Sequence, residues 1–204
     1  MAKKRQAKVL RKTNEVDIVC DLTLDGSGKQ NIKTPFDSLN HMLSLLTFHG
    51  FLDLDLSAKG DLSHHIVEDI GIAMGDCFRK ALGDTLSIRR FGFGSAPMDE
   101  VLVNVSVDIS GRPKLIEEQV SFVEDNLDLK QGDFMNFLEA FVNHAKITVH
   151  IRTPVPGSPD VRQVSDSHHY FEALFKALAI ALDKACQIDK RRKGVPSTKG
   201  VIDL

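Results

Sequence analysis

Alternating apolar and polar positions mark the first part of the chain as strand. Val16, Ile18, Cys20, Leu22 and Leu24 share one face of a stretch running from Lys8 to Leu24. Asp25-Gly26-Ser27-Gly28 reads as a turn, and a short strand around Gln30 to Lys33 completes a hairpin. Asp37-Ser38 is then expected to cap a helix from Leu39 to Phe48 that stops at Gly50. Leu52, Leu54 and Leu56 alternate through Phe51 to Ala58 and predict a strand. Lys59-Gly60-Asp61 turns into a helix that runs to about Leu82 and ends at Gly83.

The second half reads the same way. Val101, Val103, Val105 and Val107 give one face to a strand from Met98 to Ile109, and Ser110-Gly111-Arg112-Pro113 is a turn. Leu115 to Phe122 is a second strand, Gly132-Asp133 is expected to cap a helix from Phe134 to about His144, and Ala145 to Ile151 is a third strand. A loop rich in Pro and Gly, Thr153 to Ser167, leads into a last helix to about Ile188. The order strand–strand–helix–strand–helix thus occurs twice, in residues 1–92 and 93–204. The pattern predicts an α+β protein made of a duplicated unit, with the two halves packed as one body, helices against sheets. Laid over one another, the halves match His49 with His144 and therefore His41 with Asn136.

The repeat carries chemistry. Ser63-His64-His65-Ile66-Val67-Glu68-Asp69 opens one helix, and Ser167-His168-His169-Tyr170-Phe171-Glu172 opens the other. Residues four apart on a helix share a face, so His64 lies with Glu68 and His168 with Glu172, while the adjacent imidazole points about 100° away. Imidazole and carboxylate donors suit Mn, Fe, Co, Ni or Zn. A set used twice points to two metal sites related by a pseudo-two-fold, each drawing one His from each pair, with His41 as a third contributor. His49, His144 and His150 read as core or surface histidines. A basic set, Arg89-Arg90, Arg112, Lys176 and the run Pro196-Ser197-Thr198-Lys199-Gly200, could bind a phosphate by charge-assisted bonds. Glu15 is a carboxylate that could serve as acid or base if it lay near the metals.

Composition narrows the class. The chain has 204 residues, 42% hydrophobic and 26% charged, with a formal net charge of −2, which argues against bulk attraction to nucleic acid or a membrane. Cys20, Cys77 and Cys186 lie far apart in no ligand spacing and read as buried reduced thiols. The basic start Met-Ala-Lys-Lys-Arg lacks an apolar core and is not expected to be a signal peptide. No apolar run approaches the ~20 residues of a membrane span, so a cytoplasmic enzyme or binding protein is expected.

Ordered motifs over nearly the whole chain resemble the imidazoleglycerol-phosphate dehydratase family. They include Leu24-Asp25-Gly26, Asn40-His41-Met42-Leu43, Ala58-Lys59-Gly60-Asp61, both His-His helices, Ile88-Arg89-Arg90-Phe91-Gly92, Pro97-Met98-Asp99-Glu100, Ser110-Gly111-Arg112-Pro113 and Pro196-Ser197-Thr198-Lys199-Gly200. The resemblance implies two four-stranded sheets with helices, similar to ribosomal protein S5 domain 2. It implies trimers that assemble into a 24-mer, with two Mn(II) ions per active site at subunit contacts. The implied reaction is dehydration of imidazole glycerol phosphate to imidazole acetol phosphate in histidine biosynthesis. His41, His65, His168 and Glu172 match the residues that hold one metal; His64, Glu68, His169 and one further histidine hold the other. Glu15 and Glu172 match acid–base residues, Arg90, Arg112, Ser197 and Lys199 match phosphate-binding positions, and Lys176 lines the substrate site.

Departures from the family pattern gather around the implied metal centre. The further histidine falls on Asn136, and the usual Asp before the first ligand histidine is Asn40. The lead-in is Thr34-Pro35-Phe36-Asp37-Ser38, the loop before His64 is shorter, and that from Arg152 to Ser167 is longer. Two rival readings follow from them: a degenerate paralogue that keeps metal-assisted assembly, and a metal-dependent lyase for another phosphorylated substrate.

Overall fold

The computed structural model describes residues 4–118, 120–124, 127–154 and 163–203. The first half is β1 (Gln6–Lys12), β2 (Val16–Thr23), β3 (Gln30–Lys33), α1 (Asp37–His49), β4 (Asp53–Gly60) and α2 (Ser63–Leu82). The second is β5 (Phe91–Met98), β6 (Val101–Asp108), β7 (Lys114–Glu117), β8 (Ser121–Glu124), α3 (Gln131–Ala145), β9 (Thr148–Arg152), β10 (Gln163–Asp166) and α4 (Ser167–Cys186). Two four-stranded sheets form with matching orders, β1-β2-β4-β3 and β5-β6-β9-β7, and β8 pairs with β10 apart from them. In each main sheet the third strand runs parallel to its neighbour and the other pairings are antiparallel.

The α+β class and the two four-stranded sheets are as expected, but the periodicity indicates three strands in each half, where the first half holds four and the second, with the separate β8–β10 pair, holds six. The stretch from Lys8 to Leu24 is a hairpin, β1 and β2, closed where Thr13 Oγ accepts from the N–H groups of Glu15 and Val16. Continuous alternation hid that turn, because Val9 and Val16 both point into the core. The equivalent strand β5 lies in a stretch to which the periodicity assigns no element. Its Gly92 and Gly94 look like turn residues, yet they are there so that α4 can seat on the sheet. A Cβ on Gly92 would lie 1.8 Å from the Ala181 carbonyl oxygen, and one on Gly94 1.9 Å from that of Ala177. The span from Leu115 to Phe122 is likewise two short strands, β7 and β8. Part of the long loop, residues 155–162, lies outside the described residues, and its end forms β10.

Helices also pack differently from expectation. Each long helix lies on the sheet of its own half, α2 on β1 and β2, α4 on β5 and β6. Across the halves helix meets helix, α2 with α3 and α1 with α4. Within the second half Phe134 of α3 stacks on Phe171 of α4 with centroids 4.4 Å apart and Phe137 on Phe175 at 5.9 Å, while Phe78 of α2 meets Phe141 of α3 edge-on at 5.8 Å across the halves. The expected cap residues are revised as well. Phe36 is the N-cap of α1 and offers no side-chain bond. The orphan N–H groups of Asp37 and Ser38 are instead met by the Asp128 carboxylate, at 2.7 and 3.2 Å, from the other half. Lys130 is the N-cap of α3; its N–H donates to the Asp133 carboxylate at 3.3 Å, and its carbonyl accepts from the Asp133 N–H at 2.9 Å.

The seating of α4 on β5 is testable by melting. Gly94→Ala should cost about 3 kcal/mol through overpacking against backbone, whereas Gly132→Ala in α3, with nothing within 4 Å, should be neutral or stabilising by up to about 1 kcal/mol. Equal melting temperatures for Gly94→Ala and the parent would rule the close contact out.

Candidate metal centre

The His-His helices begin where an apolar face meets a polar loop. In α4 the Asp166 side chain accepts from the His168 N–H at 2.7 Å, which caps the helix and fixes its first turn. Tyr170, Phe171, Leu174 and Phe175 bury one face, leaving His168 and His169 half-buried at the rim. One turn on, Glu172 is buried, only 8% exposed. In α1 the Asn40 side chain is clamped to Thr34, accepting from its N–H at 3.1 Å and donating to its carbonyl at 3.2 Å. Asn40 therefore anchors the entry to α1.

These two helix starts bring three donors together. Glu172 Oε1 lies 3.0 Å from His41 Nε2 and 3.0 Å from His168 Nε2, and the two imidazole rings stack in parallel with centroids 5.6 Å apart. All three ligand atoms lie within 4.8 Å of one another. The other carboxylate oxygen accepts from Lys176 Nζ at 2.5 Å. Burial pushes the Glu172 carboxyl up, but the bonds from Lys176 and His41 outweigh it and pull it down to about 2. A carboxylate held ionised beside two imidazole nitrogens is a donor set that fits a divalent ion of the Mn-to-Zn series.

The remaining predicted ligands lie elsewhere in the chain. His65 Nδ1 pairs with Asp61 at 2.8 Å, with Glu15 Oε2 at 3.9 Å, and the Asp61 bond raises its pKa. His64 lies against His65, ring centroids 4.3 Å apart, and both His64 and Glu68 are exposed on α2. His169 Nδ1 lies 3.1 Å from Glu100, with Asp99 at 3.6 Å from its other nitrogen, a second convergent group. Asp99 and Glu100 were assigned no role from the sequence. They are the two-residue turn between β5 and β6, where Asp99 takes φ +47°. Recognising β5 as a strand would have exposed them as a hairpin tip. His144 is a surface histidine paired to Asp76 at 3.2 Å.

The basic residues converge in a separate cleft. Arg90, Arg112, Ser197 and Lys199 line a cavity of about 270 Å³ with the Ser110-Gly111 turn. Arg90 is fixed there by Asp108, with Nε–Oδ1 at 2.6 Å and Nη2–Oδ2 at 3.1 Å, and donates to the Pro196 carbonyl at 3.0 Å. Arg112 and Lys199 are exposed around it. Lys176 is not part of this cleft lining; its ammonium serves Glu172. The cysteines are buried and free, as expected, with Cys77 donating to the Cys20 carbonyl at 3.3 Å.

Fold and centre define a duplicated α+β protein with a histidine–carboxylate cluster suited to a divalent cation and a basic cleft suited to an oxyanion. The chain belongs to the imidazoleglycerol-phosphate dehydratase (IGPD) family, whose model matches residues 34–182. A relative of that name from Thermoanaerobacter pseudethanolicus is 46% identical over 201 residues, 97% of this chain and 100% of its own. Another, from Syntrophobacter fumaroxidans, is 44% identical over 99% of this chain and 100% of its own. Among solved structures, IGPD from Pyrococcus furiosus is similar with a TM-score of 0.79 and 33% identity, over 95% of this chain and 100% of its own. Imidazoleglycerol-phosphate dehydratase from Staphylococcus aureus gives 0.77 and 34%, over 90% and 99%.

Glu172→Gln should keep the shape of the cluster and remove its charge. Mn(II) affinity, read by calorimetry on the chelator-stripped protein, should fall by about tenfold or more. Unchanged affinity would place the ion elsewhere.

Proposed function

We propose that this chain is a cytoplasmic hydro-lyase that removes water from imidazole glycerol phosphate to give imidazole acetol phosphate, a step of histidine biosynthesis. The observation that carries the reading is the meeting of His41, His168 and Glu172 at two helix starts. It is supported by relatives that share the dehydratase name over nearly the full chain. Mn(II) is the ion assigned, two per active site. His41, His168 and Glu172, with His65 of a neighbouring copy, would hold one; His64, Glu68 and His169 would contribute to the other. A cation held there supplies Lewis-acid charge that draws electron density from the imidazole and acidifies the neighbouring C–H.

The chain's own groups account for the rest. Lys176 keeps the Glu172 carboxylate ionised and aimed. Glu15 lies in the β1–β2 turn within 3.9 Å of His65, so it travels with that histidine to the same site. Of these two carboxylates, one takes the carbon-bound proton and the other protonates the departing hydroxyl, so that water leaves and an enol relaxes to the ketone. Arg90, Arg112, Ser197 and Lys199 grip the phosphate, Arg90 being held in place by Asp108. Residues 1–92 and 93–204 act as one compact unit, which associates into trimers and a 24-mer so that donors of adjoining copies meet.

The direct test is turnover of imidazole glycerol phosphate with saturating Mn(II), following imidazole acetol phosphate. Product supports the reading; its absence from folded, metal-loaded protein overturns it. Arg112→Ala should raise KM by about tenfold or more, the loss of a charge-assisted bond, with a smaller change in kcat. A fall in kcat alone would remove Arg112 from the phosphate site.

A further inference from the structure

We infer that the two pseudo-equivalent donor sets are unequal: each subunit carries one tight divalent-cation set, His41, His168 and Glu172, and one weak set formed by His64, Glu68 and Asn136. The inference deepens the proposed function and rests on its reading that cations are held at the His-His helices.

Equivalence of the two sets is a property of the helix pairs. α1 beside α4 and α2 beside α3 are corresponding pairs. A Cβ on Gly71 of α2 would lie 2.5 Å from the Phe137 carbonyl oxygen and 2.9 Å from Ala140 Cβ. One on Gly75 would lie 2.6 Å from the Phe141 carbonyl oxygen and 2.7 Å from His144 Cβ. Both contacts advance by one turn together, so α2 and α3 run in the same direction in tight register. One turn back from Gly71 brings Glu68 alongside the turn of α3 that carries Asn136. Asn136, Glu68 and His64 are all exposed at that end. Asn136 thus stands to Glu68 and His64 as His41 stands to Glu172 and His168.

The sets then differ in ways that act in one direction. An imidazole nitrogen is replaced by a neutral amide oxygen, a poorer donor for the Mn-to-Zn ions. Lys176, four residues beyond Glu172, corresponds to Ile72, so Glu68 has no ammonium one turn on along its own helix. Glu172 is buried and Glu68 exposed, so the second carboxylate keeps more rotamer freedom to lose on binding. The Asp166 side chain caps α4, whereas α2 begins at Leu62 with no side-chain cap.

The test is Mn(II) titration of the full-length, chelator-stripped protein without substrate, with free Mn(II) read by its electron paramagnetic resonance signal. One ion per subunit should bind tightly and a second only at about tenfold or higher free Mn(II). Asn136→His should draw the second class toward the first, and His41→Asn should abolish the tight class, with circular dichroism confirming the fold of each. Two equally tight ions in the parent, or an Asn136→His titration identical to the parent's, would overturn the inequality. Turnover at saturating Mn(II) is read separately. Product with two equal classes sinks the inequality and leaves the dehydratase standing; no product with an unequal titration does the reverse.

Discussion

One carboxylate ties the site to the fold. Glu172 is buried, and an ionised carboxylate removed from water costs several kcal/mol unless opposite charge and hydrogen bonds meet it. Lys176 and His168, each one turn away on α4, supply part of that, and His41 supplies the rest from α1. The starts of α1 and α4 are therefore held together by the charge that the chemistry needs. Everything that sets the height and tilt of these two helices becomes part of the site. Asp128 reaches from the second half to satisfy the first N–H groups of α1. Asn40 pins the segment before it to Thr34. At the far end, a Cβ on Gly50 would lie 2.7 Å from the Leu46 carbonyl oxygen, so glycine closes α1 there.

Duplication explains why such precision is available. Each half rests its long helix on its own sheet and offers the exposed flank of its helices to the other half. Both cross-half pairs run parallel, so helix N-termini, with their outward N–H groups, gather at one end of each pair. Ligand-bearing first turns can meet only under that arrangement; antiparallel pairs would set them a helix length apart, about 30 Å for a helix of 20 residues. The close fit of α4 on β5, through Gly92 and Gly94, and the stacks of Phe134 on Phe171 and Phe137 on Phe175 hold the second half together, and Phe78 against Phe141 joins α2 to α3 across the halves.

Much of this was legible in the residues. The i, i+4 spacing of His168 and Glu172 put both on one face, and they meet at 3.0 Å. The hand alignment of the halves gave His41 a position equivalent to Asn136. What stayed hidden depends on contacts between segments distant in sequence. The β1–β2 turn contains no Gly or Pro and is closed by the Thr13 hydroxyl, so the alternation ran on through it. β5 escapes the periodicity because its glycines answer to a helix far along the chain. Helix α1 was given its own cap residues, although the carboxylate that caps it comes from Asp128. Asp99 and Glu100 gained a place only once β5 and β6 were seen to form a hairpin, which brings its tip to His169.

The exposure of the donors carries one last step. His41 and His168 leave 45% and 40% of their side chains accessible, while the Glu172 side chain between them is 11% accessible. The cluster is thus a shallow bowl: its anionic floor is anchored in the protein, and its imidazole rim opens outward. Three donors leave a divalent ion of the Mn-to-Zn series with unfilled positions, and those positions face solvent. Nothing else in the same subunit converges on the rim among the described residues. His65, with Glu15 beside it, sits on another helix of the chain with its own acidic partner. A single copy therefore presents half of a centre on one surface and a complementary histidine on another. Such an arrangement closes most simply by head-to-tail repetition, a heterologous contact that generates rings. Water or substrate can fill those positions, and in the proposed oligomer a histidine of an adjoining copy would fill one of them.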